Sequence, residues 1–366
     1  MSDSEKPKTW RERKQSVKYK WLMPFIFAEW LCERFSYLLG EWSFLDILGH
    51  AGRLAILLAV ISYIDGCPER RMQAENQRKA KHYQAWQVIN SAQGKPGSGG
   101  RMDALQDLHR DGISLAGVDI SKANLPNLNL ENADLSDANL AEVNLYYANL
   151  TGAYLLDANL AGAILVNTNL AGAILSRANL TGADLWAATL TEANLMYTNL
   201  TEVKLWDVDL TGAYLYYANL TGAELRNANL TEANFWNANL TGANLRDANL
   251  VGASLKDVNL TGANLYYANL TRADLSYADL AETNLTNTNL AEVNLMKTNL
   301  TRANLMNIRN WQDIKSIEQA IIYDVNNPPD GFVEWAKEHG AVLIKDEEEW
   351  KKLISEKRQE QKKEKY

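Results

Sequence analysis

The sequence predicts an all-β solenoid in the middle of the chain, preceded by an α-helical module and followed by a small α/β cap. Three observations lead to this prediction. Leucine recurs at every fifth residue from Leu115 to Leu305, 39 consecutive positions of which only Ile120 and Phe235 depart from leucine. Two residues before each of these positions lies a small or modest apolar side chain, usually alanine. The register stops on both sides of residues 113–308.

The composition of the 366 residues excludes several classes of protein. Charged residues make up 22%, which excludes a disordered chain, and two cysteines exclude a disulfide framework. Residues 113–308 carry 9 basic and 19 acidic side chains, a net charge of −10. Because phosphate binding needs clustered lysine and arginine, no nucleic acid partner is expected.

Residues 21–64 hold most of the hydrophobic side chains outside the repeats. An uninterrupted apolar run from Leu54 to Ile61 lies between Trp42 and Tyr63, which are 21 positions apart. On a helix this separation is about 31 Å, which fits the hydrocarbon thickness with an aromatic anchor at each edge. We therefore predict a transmembrane helix over 43–64, with an interfacial helix or a soluble helical hairpin as alternatives.

Basic side chains surround this predicted span unevenly. The positive-inside rule places the repeats in the cytoplasm, because more lysine and arginine lies just after the span than just before it. The basic amino-terminal segment, 1–20, is expected to favour the cytoplasm too, and a re-entrant hairpin over 21–64 would satisfy both preferences. The expected localisation is thus a membrane, in single-pass or monotopic form. The basic residues after the span are Arg70, Arg71, Arg78, Lys79 and Lys81.

Residues 65–112 are predicted to be a helical linker followed by an amino-terminal cap. Residues 70–92 have the charge pattern of an exposed helix, and residues 94–100 have the composition of a flexible turn. The order of this glycine-rich stretch differs from a phosphate-binding loop, in which lysine and serine or threonine follow the last glycine. Arg101–Arg110 is predicted to be a short helix that covers the first coil.

The spacings within residues 113–308 exclude a long α-helix. A five-residue repeat advances about 500° on a helix, so the leucines would wander around the cylinder. A spacing of two between the inward alanine and leucine is instead the period of an extended strand, and the other positions face outward and form a corner. The asparagine or aspartate between them is expected to hydrogen-bond its own backbone at the turn.

The runs ANLTG at 148–152 and ADLWA at 183–187 resemble the A(D/N)LXX motif of pentapeptide-repeat proteins. The resemblance implies a right-handed quadrilateral β-helix with four repeats per coil, so that residues 20 apart stack on one another. It covers somewhat more than half of the chain and is specific for the fold. It implies no chemistry, because members of the family differ in role.

On this β-helix, threonine and glycine occupy two opposite faces and bulky side chains occupy the other two. One bulky face stacks methionine, tyrosine and tryptophan, and the opposite face stacks two tryptophans. Clustered exposed aromatic residues are typical of protein interfaces, although such ladders also stabilise a coil without any partner. The candidate partner-binding residues are Met196, Tyr197, Tyr216, Tyr217, Trp236, Trp186 and Trp206.

Residues 309–344 are predicted to cap the last coil, and residues 345–366 to form a charged, solvated tail. The cap is expected to contain a short helix over 332–339 and a strand over 341–344. Its apolar side chains are Trp311, Ile314, Ile317, Ile321 and Ile322.

The sequence offers no catalytic or metal-binding set. The four histidines all lie outside residues 113–308, and no pair has the spacing of metal ligands. Cys32 and Cys67 are isolated, and residues 113–308 contain neither histidine nor cysteine. No nucleophile–base pair, cofactor or metal is therefore expected, and the chain is predicted not to be an enzyme.

These observations predict a membrane-tethered structural or scaffold protein whose repeats bind an unknown protein partner. The alternative, which the family resemblance implies, is a DNA mimic that regulates a type II topoisomerase. That role requires a dense column of carboxylates, whereas Glu142, Glu202 and Glu282 share a column that glycines interrupt and Arg302 ends. A membrane-associated regulator of signalling or transport is a third hypothesis, which the residues do not separate from the first.

Overall fold

The computed structural model describes residues 49–350 and, outside that range, residues 9, 27, 30, 31, 33, 34, 37 and 352. The chain divides into two compact units, residues 1–80 and residues 81–366. Helix α1, Gly49–Ser91, runs through both the apolar stretch predicted as a span and the charged stretch predicted as a separate helix. Most of residues 1–39, and residues 43–48 of the predicted span, lie outside the described residues.

The predicted transmembrane helix over 43–64 is wrong, and the predicted membrane localisation, single-pass or monotopic, is wrong with it. Within the part of the chain that the structure describes, no helix combines the length and the apolar character that crossing a bilayer requires. Within α1, His50 and Arg53 interrupt the apolar stretch that precedes Asp65. A span needs about 20 consecutive apolar residues. The predicted cytoplasmic placement of the repeats depended on this span and has no support without it.

The repeats form a stack of coils in which each coil pairs in parallel with the next, as in Asn159↔Asn179 and Asn179↔Asn199. The main-chain N–H of Leu160 donates to the carbonyl oxygen of Asn179 at 2.7 Å, and the N–H of Asn179 donates to that of Ala158 at 2.9 Å. Each side of a coil is one repeat, and the pairing aligns every repeat with the fourth one after it, so a coil has four sides. The predicted stacking of residues 20 apart is confirmed.

The corner between two sides is a type II β-turn. The N–H of Ala223 donates to the carbonyl oxygen of Leu220 at 3.0 Å, and Gly222, the third residue of this turn, has a φ of 66°. A positive φ at the third residue is characteristic of type II turns and favours glycine, because a side chain is strained there. Nevertheless Tyr197 and Tyr217 occupy the same position with φ values of 58° and 57°.

The inward alanines and leucines are buried in one continuous core, which confirms the two predicted inward positions. Phe235 takes the place of a leucine and is fully buried. Where threonine replaces the inward alanine, its hydroxyl still has a partner. Thr198 Oγ1 donates to the carbonyl oxygen of Leu175 in the preceding coil at 2.9 Å. This bond removes most of the cost of burying the hydroxyl.

Helix α2, Arg101–Arg110, lies at the beginning of the coils, and its Leu105 and Leu108 belong to the same buried core. Arg101 is also fully buried. Its guanidinium donates to the carbonyl oxygens of Ala92 and Lys95 at 2.8 Å each, to that of Ser98 at 3.1 Å and to that of Gly97. Residues 94–100, predicted as a flexible turn, are therefore held in place by a buried cation.

The last coils depart from the regular spacing. Asn294 pairs with Ser316 instead of with Ile314, because the 3₁₀ helix Trp311–Asp313 is inserted between the paired segments. Strand β1, Ile321–Ile322, pairs in parallel with strand β2, Val342–Leu343, and helix α3, Phe332–Glu338, connects them. The predicted short helix and strand are therefore present, with narrower bounds.

The beginning of the predicted solvated tail contacts the last regular coil. Trp350 Nε1 donates to Thr301 Oγ1 at 3.0 Å, and the Trp350 ring stacks on Tyr323 with 6.1 Å between centroids. The guanidinium of Arg302 lies 5.9 Å from the centre of the Trp350 ring. The tail is thus anchored at this residue, which composition alone did not indicate.

Candidate functional site

The four sides of the coil form two pairs that differ in their outward residues. Each side of the coil is a column of repeats that are 20 residues apart. One uniform side contains residues 188–192, the other contains residues 198–202, and each also contains the repeats at steps of 20 before and after. Their central outward residue is asparagine or aspartate in every coil except at Thr189. Variable side 1 contains residues 193–197 and variable side 2 contains residues 183–187, again with the residues at steps of 20. On these two sides the same position holds Tyr154, Ile164, Ile174, Lys204, Tyr214 and Glu224, among others.

Hydrogen bonds between asparagine and threonine cover the uniform sides. Asn219 Oδ1 accepts from the N–H of Thr221 at 3.2 Å and from its hydroxyl at 2.6 Å. Asn219 Nδ2 donates to Thr201 Oγ1 of the preceding coil at 3.0 Å, and Asn239 Nδ2 donates to Thr221 Oγ1 at 2.9 Å. The expected bond between each asparagine and its own turn is confirmed, and the hydroxyls of Thr201 and Thr221 each link two coils.

Variable side 1 carries a cluster of aromatic rings. The rings of Tyr197 and Tyr217 are parallel, with 5.0 Å between centroids and 1° between planes. Trp236 meets Tyr217 at 5.4 Å and Tyr216 at 6.2 Å, both edge to face. Tyr197 is 55% exposed and Tyr217 is 38% exposed, although each contacts another ring. The structure thus brings together four of the predicted site residues, with half-buried Met196 on the same side.

Polar contacts border this aromatic cluster at both ends. Trp236 Nε1 donates to Asp257 Oδ2 at 3.2 Å. At the other end Arg177 Nε donates to Asp157 Oδ1 at 2.8 Å, and a second bond joins the same two groups. The hydrogen bonds from Arg177, together with its charge, lower the pKa of Asp157. Both ends of the cluster are therefore closed by side chains that already have partners.

Trp186 and Trp206 lie on variable side 2, opposite the aromatic cluster, but they do not stack as predicted. Among the described residues no ring contact joins them. Instead Trp186 Nε1 donates to Asp207 Oδ2 at 2.9 Å. The face of Trp206 is covered by the guanidinium of Arg226, whose carbon lies 4.6 Å from the ring centre. Arg226 lies one coil after Trp206, within reach of its ring. Its guanidinium contacts the ring, whereas the sequence predicted contact between Trp186 and Trp206.

A surface groove of about 320 Å³ opens beside Trp206 on variable side 2. Sequence analysis missed its two arginines, although both lie in the column of Trp206, one in each of the next two coils, and were therefore predictable neighbours. The residues that line the groove are Trp206, Asp207, Arg226, Asn227, Arg246 and Asp247.

The arrangement of acidic groups bears on chemistry and on the DNA-mimic alternative. Within the described residues, no group of three or more histidine, cysteine, aspartate or glutamate side chains is arranged to hold a metal ion. On the uniform sides a glutamate often lies next to a glycine of the following coil. A Cβ atom added to Gly222 would be 3.6 Å from Cγ of Glu202. This alternation separates the carboxylates, so they do not form the dense column that a DNA mimic requires.

A family model described as pentapeptide repeats matches eight copies in overlapping segments between residues 113 and 309. Among solved structures, the chain is similar to HetL, a pentapeptide repeat protein involved in heterocyst differentiation regulation from the cyanobacterium Nostoc. The identity is 32% over 61% of this chain and 93% of that chain, with a TM-score of 0.38. No curated protein matches the chain.

Two further solved structures are similar to the chain. QnrB1, a plasmid-mediated fluoroquinolone resistance protein, is 17% identical over 58% of this chain and 97% of that chain, with a TM-score of 0.34. A pentapeptide repeat protein from the thylakoid lumen of Arabidopsis thaliana is 31% identical over 27% of this chain and 66% of that chain, with a TM-score of 0.18.

Proposed function

This chain belongs to the pentapeptide-repeat family, whose members form right-handed quadrilateral β-helices, and from that premise we propose that it is a non-enzymatic scaffold protein whose variable sides bind a protein partner. The observation that carries the proposal is the exposed aromatic cluster on variable side 1. Tyrosine and tryptophan are the residues most enriched at the energetic centres of protein interfaces.

The aromatic rings are not needed to build the coil, which argues against a purely structural role. The uniform sides make the same backbone pairing and the same turns with asparagine and threonine alone. Moreover, Tyr197 and Tyr217 occupy turn positions with positive φ, where a bulky side chain is unfavourable by about 1 kcal/mol or more. A binding role accounts for large rings at positions where glycine would be better tolerated.

Both ends of the stack are covered in a way that supports binding along the sides. Leu105 and Leu108 of α2 lie in the core at the first coil, and Ile317, Phe332 and Ala336 lie in the core at the last. We interpret these two segments as caps, because a solenoid with open ends pairs with other chains through its free edges. With the ends occupied, the sides remain as the available surface.

The proposal is tested by photo-cross-linking from the full-length protein in its source cells. A photoreactive phenylalanine analogue replaces Tyr197 on variable side 1 or, as the matched control, Glu232 at the same turn position of a uniform side. The proposal expects one discrete adduct from position 197 and none from position 232. Equal adducts from both positions, or none from position 197, would contradict it.

A triple substitution separates binding from stability. Replacing Tyr216, Tyr217 and Trp236 by serine should abolish capture of the cross-linked partner, while the circular dichroism spectrum of the coil is kept. If the variant instead unfolds, the rings serve the coil and the proposal fails. Gyrase supercoiling that is unaffected by the purified protein would separately dispose of the DNA-mimic alternative.

A further inference from the structure

The groove on variable side 2 contains two arginines in consecutive coils, each stacked on an aromatic ring. The guanidinium carbon of Arg226 lies 4.6 Å from the ring centre of Trp206, and that of Arg246 lies 5.0 Å from the ring centre of Tyr266. Stacking uses the face of a guanidinium and leaves its in-plane N–H groups available. The rings also restrict the rotamers of both side chains, so less entropy is lost when a ligand binds.

Only one edge of each guanidinium is occupied. Arg226 Nε lies 3.3 Å from Glu224 Oε2, and Arg246 Nε lies 3.0 Å from Asp247 Oδ2. The terminal amino groups of both arginines make no hydrogen bond to any residue that the structure describes. These terminal groups form the end of the guanidinium that binds a carboxylate through two parallel hydrogen bonds.

The carboxylates around the groove, in contrast, already accept hydrogen bonds from neighbouring side chains. Asp207 accepts from Trp186 Nε1 at 2.9 Å and from Asn227 Nδ2 at 3.0 Å. Glu224 accepts from Trp206 Nε1 at 3.3 Å and from Asn244 Nδ2 at 2.9 Å. The terminal amino groups of the two arginines are therefore donors that no described side chain uses, which favours a ligand that accepts hydrogen bonds.

We propose that this groove binds a carboxylate side chain of the protein partner, so that the partner presents an acidic segment to variable side 2. The inference rests on the proposed protein-binding function and specifies the chemistry of the partner. A carboxylate fits better than a phosphate, because Asp207, Glu224 and Asp247 already offset the charge of the two arginines, so binding relies on the directed N–H donors, which a planar carboxylate matches, and not on surplus positive charge. Trp186, which is 47% exposed beside the groove, offers apolar contact to the rest of the segment.

The experiment measures the fluorescence anisotropy of a rhodamine-labelled peptide of alternating glycine and glutamate as full-length protein is added. We expect saturable binding, and no binding of the same peptide with glutamine in place of glutamate. Arg226→Lys and Arg246→Lys keep the charge but remove the planar fork, so each should weaken binding about tenfold. The matched control is Arg177→Lys on variable side 1, where the guanidinium is already bound to Asp157; it should leave the affinity unchanged.

Three outcomes would overturn the proposal. The first is equal binding of the glutamine peptide, and the second is an equal loss in Arg177→Lys, which would indicate non-specific attraction to positive charge. The third is tighter binding of a phosphoserine peptide than of the glutamate peptide, which would assign the groove to phosphate. Cross-linking from position 197 is a separate measurement. If the glutamate peptide does not bind but the cross-link still forms, this inference is wrong and the proposed function is unaffected.

Discussion

The uniform and variable sides of the coil share one backbone and differ in what their outward side chains do. On the uniform sides Asn219 and Thr221 bond to each other and join their coil to its two neighbours through Thr201 and Asn239. On the variable sides the equivalent central position accepts Tyr214 or Lys204 without any change in pairing. The comparison shows that the backbone needs only the inward residues and the turn. The outward ladder adds hydrogen bonds on two sides, and the central position of the other two sides accepts varied side chains.

The comparison predicts that the largest effect comes from breaking an asparagine ladder. Asn219→Ile should lower the free energy of unfolding by about 2 kcal/mol, because it removes four hydrogen bonds and leaves the N–H of Thr221 without its acceptor. The control is Tyr214→Ile at the same position of variable side 1, with an expected change below about 0.5 kcal/mol. Urea unfolding followed by circular dichroism measures both. Equal losses would show that the two kinds of side do not differ.

A smaller effect is expected from removing one hydroxyl. Thr221→Val keeps the shape of the side chain but removes the link between Asn219 and Asn239, and should cost about 1 kcal/mol of unfolding free energy. Thr286 lies at the equivalent position of variable side 2, and its hydroxyl bonds to Asn284 alone among the described residues. Thr286→Val should therefore cost less in the same urea titration. The reverse order would contradict the linking role of the uniform sides.

The smallest predicted effect concerns Asp119, which takes the place of asparagine on a uniform side. Burial tends to raise its pKa, but hydrogen bonds from the N–H and hydroxyl of Ser121 and from Asn139, with the charge of Arg101, outweigh burial and lower it. A carboxyl whose pKa is lower in the folded state stabilises the fold above its unfolded value, near 3.8, and loses that contribution as the pH falls through the folded value.

Asp119→Asn should consequently flatten the loss of stability below about pH 3.8, because asparagine does not titrate. Thermal unfolding of the two proteins across about pH 2 to 5 makes the comparison. Parallel curves for the variant and the parent protein would show that Asp119 makes the same contribution in the folded and unfolded states.

Much of the fold followed from the sequence, because a strict five-residue period leaves few arrangements. The period identified the inward positions, including Phe235, and the asparagine or aspartate between the two inward residues indicated hydrogen-bonded turns. The sequence did not indicate that Arg101 is buried, because a charged residue in a short amphipathic segment normally faces water. The prediction for the apolar stretch at 43–64 was also wrong: the aromatic spacing suggested a bilayer, but no helix among the described residues is long and apolar enough to cross one.

The candidate site was only partly predictable for a related reason. The aromatic residues on variable side 1 were identified because they are next to one another in the sequence or 20 positions apart. Arg226 and Arg246 were predictable as neighbours in the column of Trp206, but the contact of each guanidinium with a ring was not, because an outward arginine can equally extend into solvent. The orientation of their terminal amino groups depends further on Glu224 and Asp247, which compete for one edge of each guanidinium.

By itself, the sequence determined which side chains of the repeats point inward, because two-residue and five-residue spacings are properties of the local backbone. The family resemblance implied which residues share a column, and only the tertiary structure decided which outward groups within and between columns make contact. Contacts such as those of Asn219 with Thr201, or of Arg226 with Trp206, join residues 18 or 20 positions apart. They exist because the coil closes after four sides, and local conformational preferences do not specify such contacts.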